Sequence, residues 1–123
     1  MINIKPLKAY TDNYIWLLET NEEVSIVDPG DAKPVLDYLS KTNKNIRDIF
    51  ITHHHFDHTA GVPELENIIS GSIYGPKNSY ELINEKVTQG DTLSSLGIKF
   101  EIIEVPGHTL DHIAFYNEEN NIL

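Results

Sequence analysis

Apolar and polar positions change period several times along this chain, and each change marks an element. Residues 13–19 (Asn-Tyr-Ile-Trp-Leu-Leu-Glu) and 24–27 are short runs rich in β-branched and aromatic side chains. With the polar turn 20–23 between them, they predict two connected strands. Asp28-Pro29-Gly30-Asp31 breaks the second strand. Asp31 can cap a helix running to about Asn43, with Pro34 tolerated in the first turn and Val35, Leu36 and Leu39 as its apolar stripe. Residues 46–52 predict a strand whose last apolar residues imply burial on both faces. Val62, Leu65, Ile68 and Ile69 mark a second helix, with Pro63 near its start and Gly71 beyond its end.

The second half is less regular. Residues 72–74 predict a short strand, and 76–97 carry the weakest pattern, a helical turn at 80–83 followed by polar turns. Ile98, Phe100 and Ile102 alternate with Lys99, Glu101 and Ile103 in a long strand ending near Val105. Pro106-Gly107 breaks it, and residues 112–116 begin another. There is no internal repeat or linker-like stretch. Strands interspersed with helices predict one α/β or mixed layered domain over 1–123.

Composition narrows the function classes. A chain of 123 residues can bury roughly two thirds of its unfolded surface. Nine Lys+Arg against 19 Asp+Glu give a net charge of −10 with no basic cluster, which argues against nucleic acid and anionic lipid as partners. No apolar run approaches the roughly 20 residues that cross a bilayer. The first residues, with Lys5, Pro6, Lys8 and Asp12, lack a signal-peptide core. The absence of cysteine excludes disulfides, thiolate metal sites and a cysteine nucleophile. A soluble, cytoplasmic protein is expected.

The candidate chemistry lies in the histidines. His53, His54, His55 and His58, with Asp57, form a His-x-His-x-Asp-His pattern directly after an apolar strand. At this composition such a match arises by chance in roughly one chain in a thousand. In an extended segment, residues two apart point to the same side, so His53 and His55 can share one metal while His54 points away. As the chain turns, Asp57 and His58 come to face a neighbouring position. Imidazole and carboxylate together suit zinc, and also iron or manganese.

Pro106-Gly107-His108-Thr109 again ends an apolar strand, and His108 can complete a three-histidine shell with His53 and His55. His112 reads as a hydrogen-bonded structural histidine, and Asp111 as a solvated carboxylate. Asp28 is either a turn aspartate or a partner that orients a metal-bound histidine. Tyr14 and Trp16 read as core rather than as a substrate platform. No nucleophile elbow, phosphate loop or dinucleotide fingerprint is present.

The stretch Thr52-His53-His54-His55-Phe56-Asp57-His58 resembles the metallo-β-lactamase superfamily. With Asp12-Asn13-Tyr14-Ile15-Trp16, Ile26-Val27-Asp28-Pro29-Gly30-Asp31 and Pro106-Gly107-His108-Thr109, the likeness narrows to the glyoxalase II, or hydroxyacylglutathione hydrolase, family. The resemblance implies the N-terminal half of an αββα sandwich, a mixed sheet with helices on one face. It implies two metal ions, zinc with iron or manganese as alternatives, and hydrolysis of S-lactoylglutathione to lactate and glutathione by a metal-bound hydroxide. His53, His55 and His108 would hold the first metal. Asp57 and His58 would hold the second, with Asp57 positioning the hydroxide.

Asp111 stands where that family usually has glycine, and a bridging aspartate, a last histidine ligand and the glutathione-gripping region have no counterpart. The expectation is therefore a domain cut short at its C-terminus with an incomplete second site. Half a sandwich should also leave the inner face of its sheet uncovered, with Ile26, Ile49, Ile51 and Ile102 upon it, and favour self-association or a C-terminal partner. The competing readings are a catalytically incomplete metal-binding half-domain and another hydrolase of the superfamily. The acidic balance weighs against a nuclease, and the absent signal peptide against a periplasmic β-lactamase.

Overall fold

The computed structural model describes residues 3–9, 13–77, 80–105 and 113–117, which fold around two sheets. Strands β1 (Asn3–Ala9), β2 (Asn13–Glu19), β3 (Glu23–Val27), β4 (Asn45–Phe50), β5 (Ile73–Pro76) and β6 (Glu85–Val87) lie side by side in that order. The first three are antiparallel neighbours, and from β3 to β6 every pairing is parallel. Parallel neighbours need crossovers. Helix α1 (Ala32–Thr42) joins β3 to β4, and α2 (Phe56–Thr59) and α3 (Val62–Leu65) lie between β4 and β5. Strands β7 (Thr92–Ser95), β8 (Ile98–Glu104) and β9 (Ile113–Tyr116) form the second, antiparallel sheet. The expected mixed sheet with helices on one face is present. Among the described residues no helix is long and apolar enough to cross a membrane.

Helix α1 begins and ends where its local chemistry dictates. The Asp31 side chain accepts from the Lys33 N–H at 3.1 Å, and Asn43, at φ 57°, returns its own N–H to the Leu39 carbonyl. Its buried face is Ala32, Val35 and Tyr38, with Leu39 packed partly against it. Leu36 is exposed, contrary to the expected stripe. Steps of three and four from Val35 reach Tyr38 and Leu39, whereas Leu36 is turned about 100° away.

Two apolar clusters lie on opposite faces of the large sheet. The helix-side cluster joins Ile15, Leu17, Val24, Ile26, Ile46, Ile49, Ile51 and Ile73 to Val35, Val62 and Leu65 of the helices. The inter-sheet cluster joins Leu18, Phe50 and Val87 to Leu93, Phe100, Ile102, Ile113 and Phe115. Phe50 is its hinge pin: its ring stacks on Phe115 at 4.7 Å and meets Phe100 and Tyr74 edge-on at 5.4 and 5.8 Å. Each large side chain buried this completely contributes about 1.5–3 kcal/mol. Ile26, Ile49, Ile51 and Ile102 are therefore fully buried, and the expectation that they line an uncovered face is wrong. The first three point toward the helices, and the small sheet covers the fourth.

A register shift between β3 and β4 sets Asp48 toward the small sheet. Its carboxylate accepts from the Ser72 N–H at 2.8 Å and from the Ser95 hydroxyl at 2.6 Å. Ser95 has thereby used its only proton, so Ser25, 2.6 Å away, donates to it. This buried chain ties the two sheets together without leaving a polar group unsatisfied.

On the helix side, Glu19 is buried and accepts a hydrogen bond from the Tyr38 hydroxyl, with Lys44 at 3.0 Å and Lys5 at 3.4 Å. Burial raises its pKa, but the bonds from Tyr38 and Lys44 and the charges of Lys44 and Lys5 outweigh burial and hold it below 4.5. A lowered folded-state pKa contributes stability that is complete above the unfolded value and is lost as pH falls through the folded one. Glu19→Gln should thus lower stability at neutral pH by about 1–3 kcal/mol. The gap to wild type should narrow as pH drops below 4.5. Urea midpoints at several pH values read this directly, and a gap constant down to strongly acidic pH would contradict it.

Other departures have local causes. β1 has a polar sequence and forms as an edge partner of β2, where Pro6 is tolerated. The expected helix over 62–69 stops at Leu65 and continues only as a 3-10 turn, Glu66–Ile68, leaving Ile68 exposed. Residues 80–83 form a turn closed by the Ile83 N–H on the Tyr80 carbonyl, and the polar segments after it supply β6 and β7. Tyr14 and Trp16 are 48% and 45% exposed, so they are not core. They share a strand face with Leu18, which packs between the sheets, and lie beyond the part that the small sheet covers.

Candidate metal centre

The ends of β3 and β4, two parallel neighbours, open at the same edge of the large sheet, where such folds gather their sites. Asp28 follows β3 directly, and the histidine segment follows β4. Between them the backbone is closed by the Asp28 N–H on the Phe50 carbonyl at 2.8 Å and the Gly30 N–H on the Asp28 carbonyl at 2.8 Å. Asp28 sits at φ 51°, a left-handed conformation that aspartate tolerates better than most residues. A non-glycine residue held there is a constraint of the kind that clusters at functional sites.

The histidines gather as their spacing suggests. The His53 ring lies 4.7 Å from that of His55 and 4.3 Å from that of His58. His53 is 2% exposed, His55 and His58 are half-buried, and His54 is exposed. The turn into α2 makes this possible. The His58 N–H and the Thr59 hydroxyl both bond the His55 carbonyl, so the chain reverses within four residues and swings His58 back over His53. Asp57 Oδ2 lies 3.8 Å from His58 Nε2.

Asp28 is the member with two readings in the sequence, and its contacts are those of a partner to the histidine segment. One carboxylate oxygen accepts the Thr52 N–H at 2.7 Å. The other accepts the Thr52 hydroxyl at 2.6 Å and faces His58 Nδ1 at 3.0 Å. The hydrogen bond that His58 donates to Asp28 raises the His58 pKa above its ordinary value against the lowering effect of burial, and the charges of Asp28 and Asp57 add to the rise. Asp28, His53 and His58 place potential donor atoms within 4.8 Å of one another. Proximity alone would make Asp28 a ligand. Its two oxygens, however, bond Thr52 and face His58, the contacts expected of a group that orients a histidine. Thr52 is the residue that sequence reasoning missed; its place at the head of the histidine pattern was the available signal.

His108, His112 and Asp111 lie outside the described residues. The Ile113 N–H, just beyond them, donates to the Thr52 carbonyl at 3.0 Å, so β9 starts beside the histidine segment.

Residues 11–123 match the metallo-beta-lactamase superfamily. The hydroxyacylglutathione hydrolase of Pseudoalteromonas translucida (strain TAC 125) is 48% identical over 97% of this chain and 48% of its own length. That of Chromohalobacter salexigens is 47% identical over 94% of this chain and 47% of its own. The chain spans about half the length of the curated relatives it matches. Among solved structures, the BLEG-1 B3 metallo-beta-lactamase superposes with a TM-score of 0.80 at 20% identity, over 98% of this chain and 68% of that one. ETHE1 from Myxococcus xanthus gives 0.75 at 24%, over 95% and 53%. At those identities the likeness is one of fold. With the match over residues 11–123, it establishes that the chain belongs to the metallo-β-lactamase superfamily.

Proposed function

We propose that this chain carries the metal-holding part of a glutathione thioester hydrolase, acting on S-lactoylglutathione to give lactate and glutathione. The observation that carries the reading is the gathering of His55 and His58 around His53 at one sheet edge, their rings 4.7 and 4.3 Å from its own. The substrate class rests on the named relatives, 48% and 47% identical to this chain. The donors fit a divalent ion of borderline softness: clustered imidazoles, one of them deeply buried, a nearby carboxylate and no thiolate. Zinc suits this set, and iron or manganese are chemically compatible. His53, His55 and His108 would hold one ion, and Asp57 and His58 a second.

Such ions, when bound, polarise a thioester carbonyl and acidify a water molecule. The chain's own residues supply position. Burial of His53 keeps bulk water off its ring, Asp28 holds His58 at Nδ1, and α2 holds Asp57 beside His58 Nε2, where its carboxylate can orient the attacking water. A second reading, a metal-binding half that acts only with a C-terminal partner polypeptide, is favoured by the exposure of Tyr14 and Trp16 on the sandwich-facing side of β2.

One comparison tests both readings: S-lactoylglutathione turnover by the chain alone, and by the chain joined to the C-terminal half of the Pseudoalteromonas relative. Low turnover alone and zinc-dependent turnover after joining, lost in His58→Ala, is expected. A folded, zinc-loaded fusion inert toward this thioester would overturn the substrate assignment.

A further inference from the structure

We infer that Thr52 and Asp28 form a positioning pair that fixes the tautomers of His53 and His58, so that both rings turn Nε2 toward the metal positions. The inference rests on the reading that these histidines hold metal, and neither Thr52 nor Asp28 is a ligand in it. The argument is a proton count. A carboxylate only accepts, so Asp28 Oδ2, 3.0 Å from His58 Nδ1, requires a proton on that nitrogen. The same oxygen accepts the single proton of the Thr52 hydroxyl at 2.6 Å. With that proton spent, Thr52 Oγ1 can only accept from His53 Nδ1, 2.8 Å away, so His53 also carries its proton on Nδ1. In each neutral ring the lone pair then sits on Nε2. For His58 that nitrogen lies on the side of Asp57, the proposed partner ligand, at 3.8 Å.

The pair is itself held. The Thr52 N–H bonds Asp28 Oδ1 at 2.7 Å, the Ile113 N–H bonds the Thr52 carbonyl at 3.0 Å, and the Asp28 backbone is closed onto Phe50 and Gly30. One carboxylate oxygen thus sets His58 directly and His53 through the Thr52 hydroxyl. Thr52→Val, which keeps the shape and removes the hydroxyl, leaves Asp28 and His58 in place and releases His53 alone.

The test uses the full chain labelled with 15N-histidine. Two-bond proton–nitrogen spectra of the metal-free protein, at a pH where the imidazoles are neutral, report each tautomer, and chelator competition reports zinc affinity. Wild type should show Nδ1–H at His53 and His58. Thr52→Val should lose the preference at His53 while keeping it at His58, and should bind zinc roughly 10–100-fold more weakly. Thr52→Ser should restore both. Nε2–H at either ring in wild type overturns the inference without recourse to a variant. So does a Thr52→Val protein with unchanged tautomers, or a Thr52→Ser protein that behaves like it. If His53→Ala and His58→Ala leave zinc affinity unchanged, the metal reading fails while the tautomer result still stands or falls by itself.

Discussion

Alanine at His55 should strip the chain of tightly bound zinc, and alanine at His54 should leave its zinc content nearly unchanged. The two residues are adjacent and chemically identical, so only orientation separates them. His55 brings its ring to 4.7 Å from buried His53, whereas His54 is exposed and meets the His55 ring edge-on at 5.3 Å. Loss of a ligand from a three-imidazole set leaves zinc with too few protein donors. The fall in affinity at His55→Ala should therefore exceed the roughly 10–100-fold that follows from losing a hydrogen bond behind a ligand. His108→Ala should match His55→Ala. Elemental analysis of the purified variants decides the matter, and equal zinc losses at His54 and His55 would remove the basis of the assignment.

What was legible in the sequence was whatever local chemistry encodes. The Asp31 cap, the Asn43 stop and the period-two runs of β2, β3 and β8 each act within a few residues, and each formed close to where the pattern put it. The grouping of His53 with His55 follows from the alternation of an extended chain, and the return of His58 from the turn that follows. What was hidden depends on partners far away in the chain. β1, with Lys5, Pro6 and Lys8, carries no strand pattern and exists because the edge of β2 accepts it. An apolar pattern also cannot tell which face will be covered. The pattern puts Ile26, Ile49 and Ile51 on an open inner face, yet they are buried under the helices, and it puts Tyr14 and Trp16 in the core, yet they are exposed. Asp28 and Thr52 lie 24 residues apart and meet only because β3 and β4 are neighbours, so the place of Thr52 at the head of the histidine pattern marks it without naming its partner.

Gly30→Ala should loosen the whole centre although Gly30 carries no functional side chain. A Cβ at this position would fall inside the contact distance of the Asp57 carbonyl oxygen and 3.2 Å from the His58 nitrogen. Both obstacles are backbone, so no rotamer change relieves them. The turn after β3 must separate from α2, a helix of only four residues that carries Asp57 and His58. The same turn is closed by the Gly61 N–H on the Pro29 carbonyl at 2.9 Å, so displacement there also strains the entry to α3. Asp28, two residues before Gly30, would lose its 3.0 Å approach to His58 Nδ1. Overpacking of this kind typically removes about 1–3 kcal/mol of stability. The functional loss should be sharper, because Asp57 and His58 move together away from His53. Zinc titration should show the Asp57/His58 position weakened more than the three-histidine position, alongside a lowered urea midpoint. A Gly30→Ala chain with the wild-type midpoint and wild-type affinity at both positions would show that this close approach does not hold α2 in place.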